Sequence, residues 1–192
     1  MFFARRPSRE AIDRFVRDSQ ALPVSYSPIG IVNGETRCRD LDEAMVTIGR
    51  GKRDFDRARA ALMEWKQFDF GWVETFPRHA PVEVGTVVAV LIQHLGFWSL
   101  NGCRVLYTVG GDGRFGFAYG TLTNHAESGE ELFDVFLDPE SDEVRYRIRA
   151  TSRPQAALAR LGQPIVRALQ ARFRRDSVAA MKRATRGNGV RA

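Results

Sequence analysis

Between two runs of strand character in RFGFAYGTLTNHAESGEELFDV, Arg114 to Val135, lie one histidine and three glutamates: His125, Glu127, Glu130 and Glu131. An imidazole and a carboxylate can exchange a proton with a substrate, and a glutamate can orient a histidine. The same residues also make an ordinary polar hairpin end. If Thr121 faces Phe133, strand alternation turns His125 and Glu131 inward, which places both at a pocket rim. His94 shares a face with Val90, Ile92 and Trp98 and is the histidine best placed to meet a ligand, although a hydrogen-bonded core histidine is the commoner fate. Tyr107, Tyr119 and Tyr146 add hydroxyls to an inward aromatic lining with Phe117, Phe133 and Phe173. Buried tyrosines often satisfy one another, but an apolar surface with a few placed polar groups is also how small-molecule pockets are built.

Gly49-Arg50-Gly51-Lys52 stands where a strand meets a helix, so backbone N–H groups, Arg50 and Lys52 are available to an anion. The run is neither G-x-x-x-x-G-K-[ST] nor G-x-G-x-x-G, and a glycine turn with solvated basic residues competes with the anion reading. His79, His94 and His125 are scattered without an H-E-x-x-H pattern, so no metal is expected, and no cofactor motif is present. Cys38 and Cys103 lack C-x-x-C partners and read as reduced thiols. No helix N-terminus or adjacent base is evident to make Cys103 a nucleophile.

These side chains need a scaffold. The chain has 192 residues, 44% of them hydrophobic, enough for one sizeable core. A single domain over residues 1–186 is expected, with 187–192 as a flexible tail. No apolar run approaches ~18 residues, and MFFARRPSRE is too short and charged for a secretory signal, which points to a cytoplasmic protein without a membrane span. The net charge of +6 gathers in Met1–Arg17 and Arg167–Ala192 with no helix-turn-helix, RNP or zinc-finger pattern, so no specific nucleic-acid partner follows. Oligomeric state is not encoded in any recognisable motif.

REAIDRFVRDSQAL puts Ile12, Phe15, Val16, Ser19 and Leu22 on one helical face, with Ser8 as cap. EAMVTIG reads as a strand; the helical stripe Phe55, Ala58, Leu62, Trp65 and Phe68 follows it. From Phe70 to Thr151 the period is two, broken by Gly, Asn, Asp and Pro, the pattern of an antiparallel meander. Asn101-Gly102 suggests a type I′ turn that sets Leu100 opposite Cys103 and Trp98 opposite Val105. A loop at Gly111-Asp112-Gly113 then sets Val105 opposite Tyr119 and Tyr107 opposite Phe117. Arg145, Arg147 and Arg149 alternate outward. The dry face is covered by a C-terminal stripe, Leu158, Leu161, Ile165, Leu169 and Phe173, continued by Ala180, Met181 and Ala184, with Pro164 either beginning or kinking the helix.

This element order is that of the helix-grip fold of START-like and pollen-allergen-like proteins. The class is α+β: a curved antiparallel sheet of about seven strands around a long C-terminal helix, with an extra N-terminal helix. The residues go further. GRG with FDRARAALMEW, LGFWSLNGCRVLY, RFGFAYGTLTNHAESGEELF and SRPQAALARLGQPIVRALQARFRRDSVAAM, in that order between Arg6 and Met181, resemble a bacterial and plant domain-of-unknown-function family (UPF-type) of the START-like, or SRPBCC, superfamily. The resemblance implies the fold and carries over no catalytic residues. The function expected is binding of a small apolar or amphipathic molecule between sheet and C-terminal helix. Alternatives are a cyclase, hydrolase or isomerase using the same pocket, which is fold-level analogy, or a scaffold acting through its basic last helix.

Overall fold

The period-two stretch forms one antiparallel sheet. A computed structural model describes residues 1–34, 41–94, 96–154 and 163–186. Its strands are β1 (Phe2–Phe3), β2 (Asp42–Arg50), β3 (Val73–Phe76), β4 (Val87–Gln93), β5 (Trp98–Gly111), β6 (Arg114–Thr121), β7 (Glu127–Leu137) and β8 (Glu143–Pro154). Its helices are α1 (Arg9–Ser19), α2 (Gly51–Met63) and α3 (Gln163–Arg186), with a 3₁₀ turn at Lys66–Phe68. β3 to β8 meander, and β2 pairs with β8, giving the order β2-β8-β7-β6-β5-β4-β3 with β1 beside β5.

The sheet curls and its two faces are covered differently. On the concave face Val88, Val90, Cys103, Val105, Phe117, Phe133, Val144, Tyr146 and Ile148 pack against Phe55, Ala58 and Leu62 of α2, Trp65 and Phe68 of the connection after it, and Met181 of α3. Burying side chains of this size stabilises the fold by about 1.5–3 kcal/mol each, so this layer dominates the core. On the convex face α1 brings Ile12 and Phe15 onto Phe76, Ala89, Leu91 and Leu100, while Val32 covers Ala118 and Leu132. Ser8 caps α1 as expected, its Oγ accepting from Ala11 N–H at 3.2 Å.

Beyond Phe133 pairing with Phe117 instead of Thr121, an offset of even length that keeps Glu131 inward, two features of register depart from the sequence expectation. Asn101-Gly102 is not a turn: the chain reverses between Gln93 and Trp98, which pair, and β5 runs straight through, with Val90 opposite Asn101 and Val88 opposite Cys103. Trp98 and Leu100 therefore point to the convex face, against α1, and Trp98 does not line the interior. The turn propensity of the Asn-Gly pair loses to specific burial of both residues. Asn101 Nδ2 donates to Ser99 Oγ at 2.9 Å and to Val90 O at 3.3 Å, and a Cβ at Gly102 would lie 2.3 Å from Asn124 Oδ1.

The second departure is a bulge between Val105 and Tyr107. Val105 opposes Tyr119 as expected, but the extra residue flips the strand beyond it, so Tyr107 opposes Ala118 and joins the convex cluster. Tyr107 is thus not an inward hydroxyl. A smaller difference lies in the second helix, which stops at Met63 because Trp65 adopts the left-handed conformation, φ 58°. Trp65 and Phe68 still reach the core, from the connection instead of the helix.

The arginines of β8 face outward. Asp134, fully buried, lies between Arg147 and Arg114, whose Nη2 atoms each approach Oδ2 to 2.7 Å. α3 begins at Gln163 with Pro164 in its first turn, where a missing N–H costs nothing. Leu169, Phe173, Met181 and Ala184 of its stripe pack into the concave core, with Ala180 buried beside them. Leu158, Leu161, Cys38, the side chain of Ile165 and the tail 187–192 lie outside the described residues.

Candidate functional site

The concave face is filled at one part and polar at another. Phe117, Phe133 and Tyr146 have no exposed surface. The ring of Trp65 stands edge-on to Phe117 at 4.8 Å, and Tyr146 shares a hydrogen bond with Ser177 of α3 at 2.9 Å. Further along β6 and β7 the lining changes. Tyr119 stacks on Phe68 at 6.2 Å, Phe173 of α3 approaches Phe68 to 5.5 Å, and both Phe173 and Glu131 are only half-buried.

Glu131 is the centre of this polar end. It pairs with Tyr119 across β6 and β7, so alternation sends both side chains to the concave side. The Tyr119 hydroxyl donates to Glu131 Oε2 at 2.6 Å. Among the described residues no donor meets Oε1. Burial pushes the Glu131 carboxyl up to about 7; Glu127 on the same face adds to the rise, while the Tyr119 hydrogen bond and Arg174 oppose it. Burial and the neighbouring carboxylate likewise hold the Tyr119 hydroxyl and the Cys103 thiol far above their ordinary values, so neither ionises near neutrality. Cys103 is a buried, inert thiol.

Around Glu131 the polar groups join several elements. Ser152 of β8 donates to Glu127 Oε2 at 2.7 Å and accepts from Gln170 of α3 at 3.2 Å. Arg174 of α3 pairs with Asp42 of β2. In the β6–β7 connection, Glu127 N–H donates to His125 Nδ1 at 2.8 Å, which leaves the ring proton on Nε2. Burial draws the His125 pKa down to about 4, so the ring is neutral at physiological pH. His125 and Glu131 do share this end of the sheet, but no hydrogen bond joins them.

His94 stands elsewhere on the rim. Its Nε2 shares a 2.7 Å hydrogen bond with Ser99 Oγ, which also accepts from Asn101 Nδ2. The ring stacks on the exposed Phe97 at 4.6 Å, with Phe2 nearby, and burial lowers its pKa. Sequence reasoning missed Asn101, Ser99, Ser152 and Gln170. Only the period-two parity of the first three could have signalled them, once the register was known. Among the described residues no three His, Cys, Asp or Glu side chains gather as metal donors, and no helix is long and apolar enough to cross a membrane.

A curled sheet wrapped on a C-terminal helix, aromatic inside and polar at one end, makes this a helix-grip protein. The chain belongs to the family described as Domain of unknown function (DUF1990), which matches residues 27–180. It is 33% identical over 210 residues to a UPF0548 protein of Dictyostelium discoideum, covering 98% of this chain and 97% of that one. A UPF0548 protein of Arabidopsis thaliana is 32% identical over 147 residues, covering 73% and 71%. Among solved structures, a hypothetical protein of Helicobacter pylori shares the fold with a TM-score of 0.52 at 14% identity, covering 83% of this chain and 94% of that one.

Proposed function

We propose that this protein binds a small apolar or amphipathic molecule at the polar end of the concave face. Its apolar body lies against Phe68, Phe173 and the ring of Tyr119, and one polar group meets Glu131. The observation that carries this reading is Glu131, a half-buried carboxyl beside aromatic rings whose Oε1 meets no donor among the described residues. A ligand donor meeting that oxygen would add a hydrogen bond to a charged group, worth about 1.5–3 kcal/mol. Filling of the space beside Phe117 and Tyr146 by α2 and Trp65 supports a short ligand at one end over a long one threading the whole interior.

A second reading, an enzyme acting by proton transfer, is favoured by the placing of Glu131 beside Tyr119 at a half-buried end of the sheet, where burial pushes its carboxyl up to about 7, suited to general acid/base work at neutral pH. Native mass spectrometry of the purified protein, followed by titration with an apolar fluorescent probe such as anilinonaphthalene sulfonate, tests binding. The expected result is a bound small molecule or saturable probe binding that Glu131→Gln alters. A protein free of ligand, with probe binding absent in parent and variant alike, sinks both readings.

A further inference from the structure

A recess of about 380 Å³ opens where β2 runs into α2 and the last turns of α3 pass that junction. It is lined by the Thr47–Arg50 end of β2, Asp54, Lys182 and Arg186. Its single carboxylate is already engaged. Asp54 Oδ2 accepts from Arg50 N–H at 2.9 Å, and Arg57 lies 3.6 Å from Oδ1. Gly51 N–H donates to Asp142 O at 2.9 Å, so the start of α2 is occupied by the protein itself. Glu143, opposite Arg50 in the ladder, is taken by Arg145 and Thr47. Arg50, Lys182 and Arg186 are left as three cations that face one recess with no ion-pair partner among the described residues.

We propose that this recess binds the phosphoryl end of a small molecule, a phosphomonoester or diphosphate, through Arg50, Lys182 and Arg186. Three like charges in one concavity repel one another, and a multiply charged oxyanion relieves all of them at once where a lone carboxylate would meet only one. Two guanidinium forks suit the paired oxygens of a phosphoryl group, and the lysine adds a point charge. The neighbouring Lys52 is not part of the site: it pairs with Asp56 and lies over the Phe55 ring at 5.7 Å. Of the two basic residues expected from the sequence, the geometry keeps Arg50 and exchanges Lys52 for two residues of the last helix.

Calorimetric titration of the full chain with inorganic pyrophosphate at low salt tests this. One saturable site is expected, weakened about ten- to a hundredfold by each of Arg50→Gln, Lys182→Gln and Arg186→Gln, with melting temperatures unchanged. Lys52→Gln should leave the affinity as it is. Arg50→Lys keeps the charge without the fork and should fall between. Competition by a soluble sugar phosphate assigns the phosphoryl group to a metabolite; competition only by vesicles containing a phosphoinositide assigns it to a lipid headgroup; either supports the site. Absence of pyrophosphate binding, or an equal loss in Lys52→Gln, overturns it, the latter by showing diffuse surface charge.

Discussion

Glu130 and Glu131 are neighbours of one type on one strand, and the fold gives them opposite surroundings. Glu130 points to the convex side and is met by four donors: the Tyr26 hydroxyl at 2.6 Å, Gly30 N–H at 2.9 Å, Val32 N–H at 3.4 Å and the Tyr107 hydroxyl at 2.6 Å. Glu131 points to the concave side and has one donor among the described residues. The first closes a structure; the second leaves capacity unused. Full satisfaction marks a residue that holds the fold together, and partial satisfaction in a half-buried place is the feature on which the proposed binding role of Glu131 rests.

The largest way to break this contrast is Glu130→Ala. It strands two tyrosine hydroxyls and two amides beneath the 24–34 segment, so urea denaturation should show a loss of about 3–5 kcal/mol. Near-equal losses in Glu130→Ala and Glu131→Ala would abolish the distinction.

A smaller and sharper test uses pH. Between about pH 4.5 and 7 folded Glu131 holds a proton that the unfolded chain releases, so its contribution to stability declines as pH rises through that window. His125 has the opposite sign: between about 6.5 and 4 the unfolded chain takes a proton that the folded ring refuses, so its contribution declines as pH falls. The two oppose each other where the windows overlap. Glu131→Gln should unmask a rise of stability with pH and His125→Asn a decline, each of about 1–3 kcal/mol across its window, read from melts at several pH values. Identical pH profiles for parent and both variants would remove the electrostatic basis of the site.

The smallest effect is Tyr119→Phe, a loss of about 1 kcal/mol. Because the hydroxyl stabilises the ionised carboxyl, Glu131 should then titrate higher still, visible as a shifted carboxyl resonance in an NMR titration. A downward shift would mean that Tyr119 is not its donor.

The Glu130/Glu131 contrast was half legible in the sequence. Parity alone sends adjacent residues to opposite faces, and it correctly turned Glu131 inward. It could not supply Tyr26 and the backbone of Gly30 and Val32, which reach Glu130 from about 100 residues away through a segment with no periodicity. Nor could it find the bulge at Leu106, because an inserted residue leaves hydrophobic alternation locally plausible in either phase. Asn101-Gly102 shows the same limit: a two-residue turn signal is local, while its actual use, a buried amide and a close approach by Asn124, depends on strands elsewhere. The element order and the outward arginines of β8 were readable because repetition over many residues outweighs one misplaced turn. Of the α3 stripe, the described part packs as the helical spacing required.

The pairing of β2 with β8 sets a timetable. Asp42 meets Ala150 and Thr47 meets Arg145, so an edge strand made early waits for a partner made roughly 100 residues later. At about 5–20 residues per second, a chain emerging from the ribosome keeps β2 without its partner for about 5–20 s. Throughout that interval its unpaired backbone and the apolar side chains Met45, Val46 and Ile48 offer a template to any other strand within reach. The last hairpin of the meander, by closing this seam, ends that exposure.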